Sequence, residues 1–179
     1  MVSFFDVSHE RRSVRNFFSY PVDDNLIHKI VIAGHEAPAA GNIVNWDLLV
    51  VQDKESRLKI ASACDAQFWM SDAPVFIVVC SRTSDLERVY GSRGRLFAVQ
   101  NSSAVIENML LAAQELGLGS CWIGSFNERH VKELLSVPDK VDVHGIVVLG
   151  HTAVVPPAPK RDPVSNYLFF EKFGKKSKY

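Results

Sequence analysis

The stretch that most constrains this chain runs from Gln100 to Phe126, QNSSAVIENMLLAAQELGLGSCWIGSF. Its middle reads as a helix that is apolar almost all the way round, with Val105, Ile106, Met109, Leu110, Leu111, Ala112, Ala113 and Leu116. The polar residues form a thin stripe: Gln100, Glu107 and Gln114 recur every seven positions, flanked by Asn101, Asn108 and Glu115. A surface helix shows one apolar face and a broad polar one. A helix wetted along one line is surrounded, either by its own domain or by a second subunit. Gly117 and Gly119 end it, as glycine does just past a helix. Ser120 to Phe126 then leaves as a short apolar strand through Trp122, Ile123 and Gly124, and the glycine lets a flat ligand come close to the backbone.

The rest of the chain has to cover that helix. At 179 residues one domain is expected, large enough to bury a core without disulfides or metals. The formal net charge of zero argues against coating nucleic acid or an anionic membrane, so any basic cluster has a local purpose. Cys64, Cys80 and Cys121 are odd in number and widely spaced, which reads as buried thiols in a reducing compartment. There is no apolar run of about 18 residues, and the opening MVSFFDVSHERR lacks a signal-peptide pattern. The expectation is a soluble, cytoplasmic protein.

Residues 3 to 10 read as a short helix capped by Ser3, followed by Arg11-Arg12-Ser13-Val14-Arg15. That cluster is either a solvated basic helix end or an anion clamp of guanidinium forks and a hydroxyl. Asp23 and Asp24 cap a helix from about Asn25 to Glu36, with Leu26, Ile27, Ile30 and Val31 inward. His28 and His35 on it stand about 10 Å apart, too far to share a metal. The small-residue loop Ala37 to Asn42 is a surface for a planar ligand or a plain helix-to-strand connection. Trp46 to Gln52 is a strand; Lys54 to Ala66 is an amphipathic helix with Leu58, Ile60 and Ala61 inward. Val75 to Cys80 is a strand buried on both faces, and Thr83 to Phe97 is a candidate mobile cover or an ordinary surface excursion. Asn127 caps a helix through Leu135, and Val143 to Gly150 is a further buried strand. No G-x-G-x-x-G, P-loop, G-x-S-x-G or H-E-x-x-H pattern is present, and no acid-base or nucleophile set stands out.

The tail begins with the stiff Val155-Pro156-Pro157-Ala158-Pro159 and continues through Lys160 and Arg161 to Tyr167, Leu168, Phe169, Phe170 and Phe173. So many aromatics do not stay in water at a free terminus. Residues 156–173 are therefore read as an extended arm packed on a body, with a second subunit a good candidate; with the central helix this points to an obligate dimer. Lys175 to Tyr179 is read as disordered.

Five separated stretches now agree on one family. Arg11 to Arg15, Ala37 to Asn42 before Trp46, Asn108 to Ala113, Leu116 to Gly124, and Leu149-Gly150-His151 to Lys160-Arg161 occur in the right order, and the chain resembles the FMN-dependent nitroreductases along nearly its whole length. The resemblance implies a single α+β domain over 1–179: a central mixed, mostly antiparallel sheet flanked by helices, with the C-terminal arm exchanged in a homodimer that holds FMN at its interface. It places Arg11, Arg12 and Ser13 by the FMN phosphate and ribityl chain, with Lys160 and Arg161 closing on the phosphate, and Arg15 by the pyrimidine edge. Pro38, Ala39, Ala40 and Asn42 would line the flavin ring, and Ile123 and Gly124 would come over its other face or edge, offering a backbone N–H. Two positions depart from the family: Asn42-Ile43-Val44-Asn45-Trp46 stands where N-x-Q-P-W is usual, and Gln100-Asn101 where Gln-Asp is usual.

The function implied is an NAD(P)H-dependent oxidoreductase that reduces nitroaromatic, quinone or similar acceptors in a ping-pong cycle. No catalytic side chain is required of the protein, because the cofactor carries the chemistry and the chain orients it. The rival readings are a specialised flavin enzyme of the same fold and a flavin-binding or sensing protein without turnover.

Overall fold

The computed structural model describes residues 3–176. Its helices are α1 (Phe4–Glu10), α2 (Asp24–His35), α3 (Lys54–Ala63), α4 (Thr83–Tyr90), α5 (Arg93–Glu115) and α6 (Glu128–Leu135). The strands are β1 (Trp46–Val51), β2 (Val75–Ser81), β3 (Gly119–Ile123) and β4 (Asp142–Gly150). They form one sheet in the order β1-β2-β4-β3, every pairing antiparallel. The parallel component is a single bridge, where Ser13 runs alongside Ser120 on the outer edge of β3.

Short polar side chains start four of these helices by accepting from otherwise unpaired first-turn amides. Ser3 and Asp6 make a reciprocal capping box on α1. Asp23 accepts from the Asn25 amide at 2.7 Å, Asp53 from Ser56 at 2.7 Å, and Asn127 from His130 at 3.0 Å. Helix α5 ends where Gly117 takes φ +74°, a left-handed turn that costs glycine little.

Sheet periodicity sorts the buried residues into two cores. On one side Val75, Ile77, Val79, Val147 and Leu149 meet Ile27 and Ile30 of α2 and Val105, Ile106 and Met109 of α5. On the other, Phe76, Val78, Ile146, Val148 and Cys121 meet Ile60 and Ala61 of α3, Met70 and Val131 of α6. Every residue of β2 is buried, as its unbroken apolar run requires for a central strand.

Several boundaries differ from the sequence expectations. The helix read as 54–66 stops at Ala63, because Asp65 and Ala66 turn left-handed, and Leu58 faces solvent. The strand read through Phe126 ends at Ile123. The stretch Thr83 to Phe97 is no loop: it is α4, a tight turn and the first turns of α5. Gly94 allows this, since a Cβ there would stand 2.3 Å from the Glu87 amide nitrogen of α4. Along α5 the polar stripe is only partly wet: Gln100 and Glu107 are exposed, but Asn101 is buried, and Leu96 and Val99 face outward. Among the described residues, no helix is long and apolar enough to cross a membrane.

The tail is less extended than its prolines suggest. A short 3-10 turn at Val164–Asn166 precedes a small hairpin in which Phe169 bridges Lys176. Most of it stands away from its own body, with Phe173 95% and Tyr167 69% exposed. Of the terminal stretch read as disordered, Lys175 and Lys176 belong to this hairpin, and 177–179 lie outside the described residues.

Candidate functional site

Four of the expected anion-binding residues converge. After the capped helix α1 the chain straightens, and Val14 donates to the Ser120 carbonyl at 2.9 Å. This pins Arg11 to Arg15 along β3. The proline-rich start of the tail faces them across a cleft of about 760 Å³ lined by Arg11, Arg12, Ser13 and Arg161, with Pro156, Pro157 and Pro159 as its stiff wall. The Arg12 Nη1 donates to the carbonyls of His9 at 2.6 Å and Arg11 at 2.8 Å, which orients the fork while leaving Nε and Nη2 open. Arg11 Nε stands 4.0 Å from Glu107 on α5, the outer limit of an ion pair. A set of forks and a hydroxyl held around an open cleft suits a phosphate group.

Arg15 continues along the same strand edge. Its guanidinium lies 5.4 Å from the centroid of the Trp69 ring. It also reaches Cys121 on β3. Burial pushes the Cys121 thiol above its ordinary value, while a hydrogen bond and charge from Arg15, and further a hydrogen bond from Ser13, pull it back. Trp69 and Cys121 carried no sequence signal as site residues; the pairing of this segment with β3 brings Cys121 to Arg15, and the short 3-10 turn Phe68–Asp72 brings Trp69.

The loop Pro38 to Asn42 sits elsewhere and is held by a buried polar chain. Ala40 donates its amide to Asn101 Oδ1 at 2.9 Å. Asn101 Nδ2 donates to Asn45 Oδ1 at 2.8 Å, and Asn45 Nδ2 to Ser81 Oγ at 2.7 Å. Asn45 has no exposed surface and Asn101 only 4%. Asn45 and Asn101, two of the residues set apart in the sequence, thus meet and satisfy one another. Gly41 and Asn42 are both left-handed, with φ +59° and +57°, and a side chain at residue 41 would collide with the Tyr90 hydroxyl.

The structure does not bring every expected residue into one cleft. Lys160, between the cleft-lining Pro159 and Arg161, does not line the basic cleft but an adjoining depression with Arg161, Asp162, Val164 and Tyr167. None of Pro38, Ala39, Ala40, Asn42, Ile123 and Gly124 lines the basic cleft. Ile123 is buried, and at Gly124 a Cβ would meet nothing within 4 Å, so the backbone there is open to approach. The loop abuts Asn101 and Arg11 abuts Glu107, six residues on along α5. Helix geometry puts those two positions about 9 Å apart along the axis and about 120° apart around it. The loop and the basic cleft therefore flank different sides of the longest helix.

Residues 9–69 and 62–151 match the Nitroreductase family. The chain is 35% identical over 147 residues to an Archaeoglobus fulgidus relative bearing the designation NADH dehydrogenase/NAD(P)H nitroreductase, covering 80% of this chain and 82% of that one. It is 28% identical over 158 residues to the Bacillus subtilis FMN reductase [NAD(P)H], covering 80% of this chain and 64% of that one. A nitroreductase family protein of Clostridium difficile superposes with a TM-score of 0.85 at 28% identity, over 96% of this chain and 99% of that one. This chain belongs to the nitroreductase family.

Proposed function

We propose that this nitroreductase-family oxidoreductase carries FMN, takes reducing equivalents from NAD(P)H and delivers them to small aromatic acceptors such as nitroaromatics or quinones. The observation that carries the reading is the cleft on which Arg11, Arg12, Ser13 and Arg161 converge, three arginines and a hydroxyl against one lining carboxylate, Glu107, 4.0 Å from Arg11. Its donors fit a phosphate monoester. When bound, the flavin supplies hydride acceptance from the nicotinamide and hydride donation to the acceptor.

The chain contributes placement and charge. Arg11, Arg12, Ser13 and Arg161 hold the phosphate end by charge-assisted bonds. Arg15, fixed on Trp69, keeps a cation at the pyrimidine edge, where negative charge develops on reduction. Small side chains at Ala39 and Ala40, and the open backbone at Gly124, leave room for planar groups to stack. Protons come from water, consistent with the lack of any acid-base pair in the sequence.

We place the complete site at the interface of a homodimer. Two features support this: the loop and the basic cleft on different flanks of α5, and a tail whose aromatic residues are exposed in the single chain. A partner's α5 and arm would cover the outward Leu96 and Val99 and bring one protomer's ring-lining loop to the other's phosphate cleft.

The test is an absorbance spectrum of the purified, dialysed protein, repeated anaerobically with NADPH and then NADH. Flavin bands that bleach support the reductase. Bands that persist with both donors favour a flavin-binding protein without turnover. A colourless protein that takes up no added FMN overturns the reading.

A further inference from the structure

The turn between α4 and α5 holds an aromatic and cationic group that the function above does not use. Tyr90 ends α4 with its hydroxyl against Gly41, in the middle of the loop assigned to the flavin ring. Its ring meets Phe97 of α5 edge-on, with centroids 4.9 Å apart and planes at 87°. Arg93, the first residue of α5, lays its guanidinium 5.4 Å from the Phe97 centroid. The neighbouring arginines are engaged with acids: Arg95 lies 3.9 Å from Glu87, and Arg88 pairs with Asp85. Arg93 has no carboxylate partner among the described residues and is exposed.

The hairpin that carries this group is rigid by construction. Gly91 turns left-handed at φ +58°, and the missing Cβ of Gly94 lets α5 lie directly against the backbone of Leu86 and Glu87. The guanidinium stands over the Phe97 ring, which Tyr90 meets edge-on, and Tyr90 in turn touches the loop at Gly41. Arg93 is thus linked to the loop through two aromatic rings. A cation stacked on a ring keeps its outward N–H donors for an anion.

We propose that Arg93, braced by Phe97 and Tyr90, is a specificity-determining residue that favours electron acceptors bearing an anionic group on their aromatic ring. The assignment rests on the flavin reading of the Pro38 to Asn42 loop. Arg93 acts on binding of the acceptor and takes no part in the redox chemistry.

The experiment compares 4-nitrobenzoate with its uncharged methyl ester as acceptors for the FMN-loaded enzyme at saturating donor. For an exposed cation the expected loss is small but readable: Arg93→Gln lowers kcat/KM for the carboxylate about three- to fivefold and leaves the ester unchanged. Arg93→Lys keeps most of the preference. In the wild type, added KCl depresses kcat/KM for the carboxylate and not for the ester. Equal effects on both acceptors, or none on either, overturn the proposal. A loss confined to flavin bleaching by NADPH, with NADH unaffected, overturns it too, because the anion recognised would then be the phosphate of the donor. Failure of the flavin reading is separate: the wild type would turn over neither acceptor.

Discussion

Two sets of arginines in this protein, one scattered and one clustered in sequence, behave oppositely in the fold. Arg57 and Arg82 are consumed by the structure. Arg57, 7% exposed, donates to the carbonyls of Gln52 at 3.2 Å, Ser71 at 2.6 Å and Ala73 at 2.5 Å, tying α3 to the segments on either side of it. Arg82 binds Asp47, Asp85 at 3.1 Å and the Val44 carbonyl at 3.1 Å, using all three sides of its guanidinium. Arg11, Arg12 and Arg161 instead face a cleft and keep most of their donors open. A charge cluster in a sequence is thus not evidence of a ligand until its partners are known. A buried guanidinium whose Nε and Nη1 donate to carbonyls, as in Arg57, is a structural brace; one held open around a cavity is available for binding.

Substitutions should separate the two groups. Arg57→Ala removes a buried cation and strands three carbonyls, so urea unfolding should show a loss of about 3 kcal/mol. Flavin affinity per folded molecule should stay unchanged. The converse is the double variant Arg11→Ala/Arg12→Ala. Its melting temperature without cofactor should match wild type, while fluorescence titration shows FMN binding weakened about 30- to 150-fold, corresponding to two lost hydrogen bonds of about 1–1.5 kcal/mol each. If instead that variant unfolds while binding is retained, the basic cleft is a brace as well and the contrast disappears.

A smaller effect probes the buried polar chain. Asn101→Ala leaves the Ala40 amide and Asn45 Oδ1 without their partner, at a cost of about 1–2 kcal/mol. Because the same bond holds the Pro38 to Asn42 loop, turnover should fall at unchanged FMN phosphate affinity, as read by kcat against the binding constant.

The smallest effect is on pH. Burial lowers the His144 imidazole below its ordinary 6.5, against raising contributions from Asp142, Glu128 and the Ala98 backbone. Its ring bonds Ser102 Oγ at 2.9 Å on α5. A depressed folded value means the unfolded chain takes up the proton first as pH falls. Stability should therefore be fully present above about pH 6.5 and decline below it, and His144→Gln should flatten that decline in denaturation curves from pH 7.5 to 5. A steeper decline in the variant would show that another group governs.

What the sequence disclosed followed physical rules of short range. Helix starts at Ser3, Asp23 and Asn127 are local hydrogen-bond problems, and the buried strands β2 and β4 are visible as apolar runs. The basic cluster at Arg11 to Arg15 was legible as a clamp or a helix end, and the choice needed the third dimension. Asn101 was misplaced for the same reason: in a polar stripe it reads as wet, and only its distant partners Ala40 and Asn45 make burial affordable. Thr83 to Phe97 was left open as a cover or a surface excursion, and its helical form was not legible because its Gly94 serves to let two helices touch. Trp69 and Tyr90 had no local signal at all, since their neighbours at Arg15 and Gly41 lie far along the chain.

The two-sided burial of β2 and β4 also sets a clock. These strands pair with each other at the centre of the sheet, covered above by α2 and α5 and below by α3 and α6. Their amide protons can reach solvent only when both layers come away together, so they should exchange at the rate of global unfolding. The amides of residues 152–176, nearly all in exposed residues, should exchange within seconds in a lone protomer. Any slowing there on raising protein concentration would time the life of the arm against a partner.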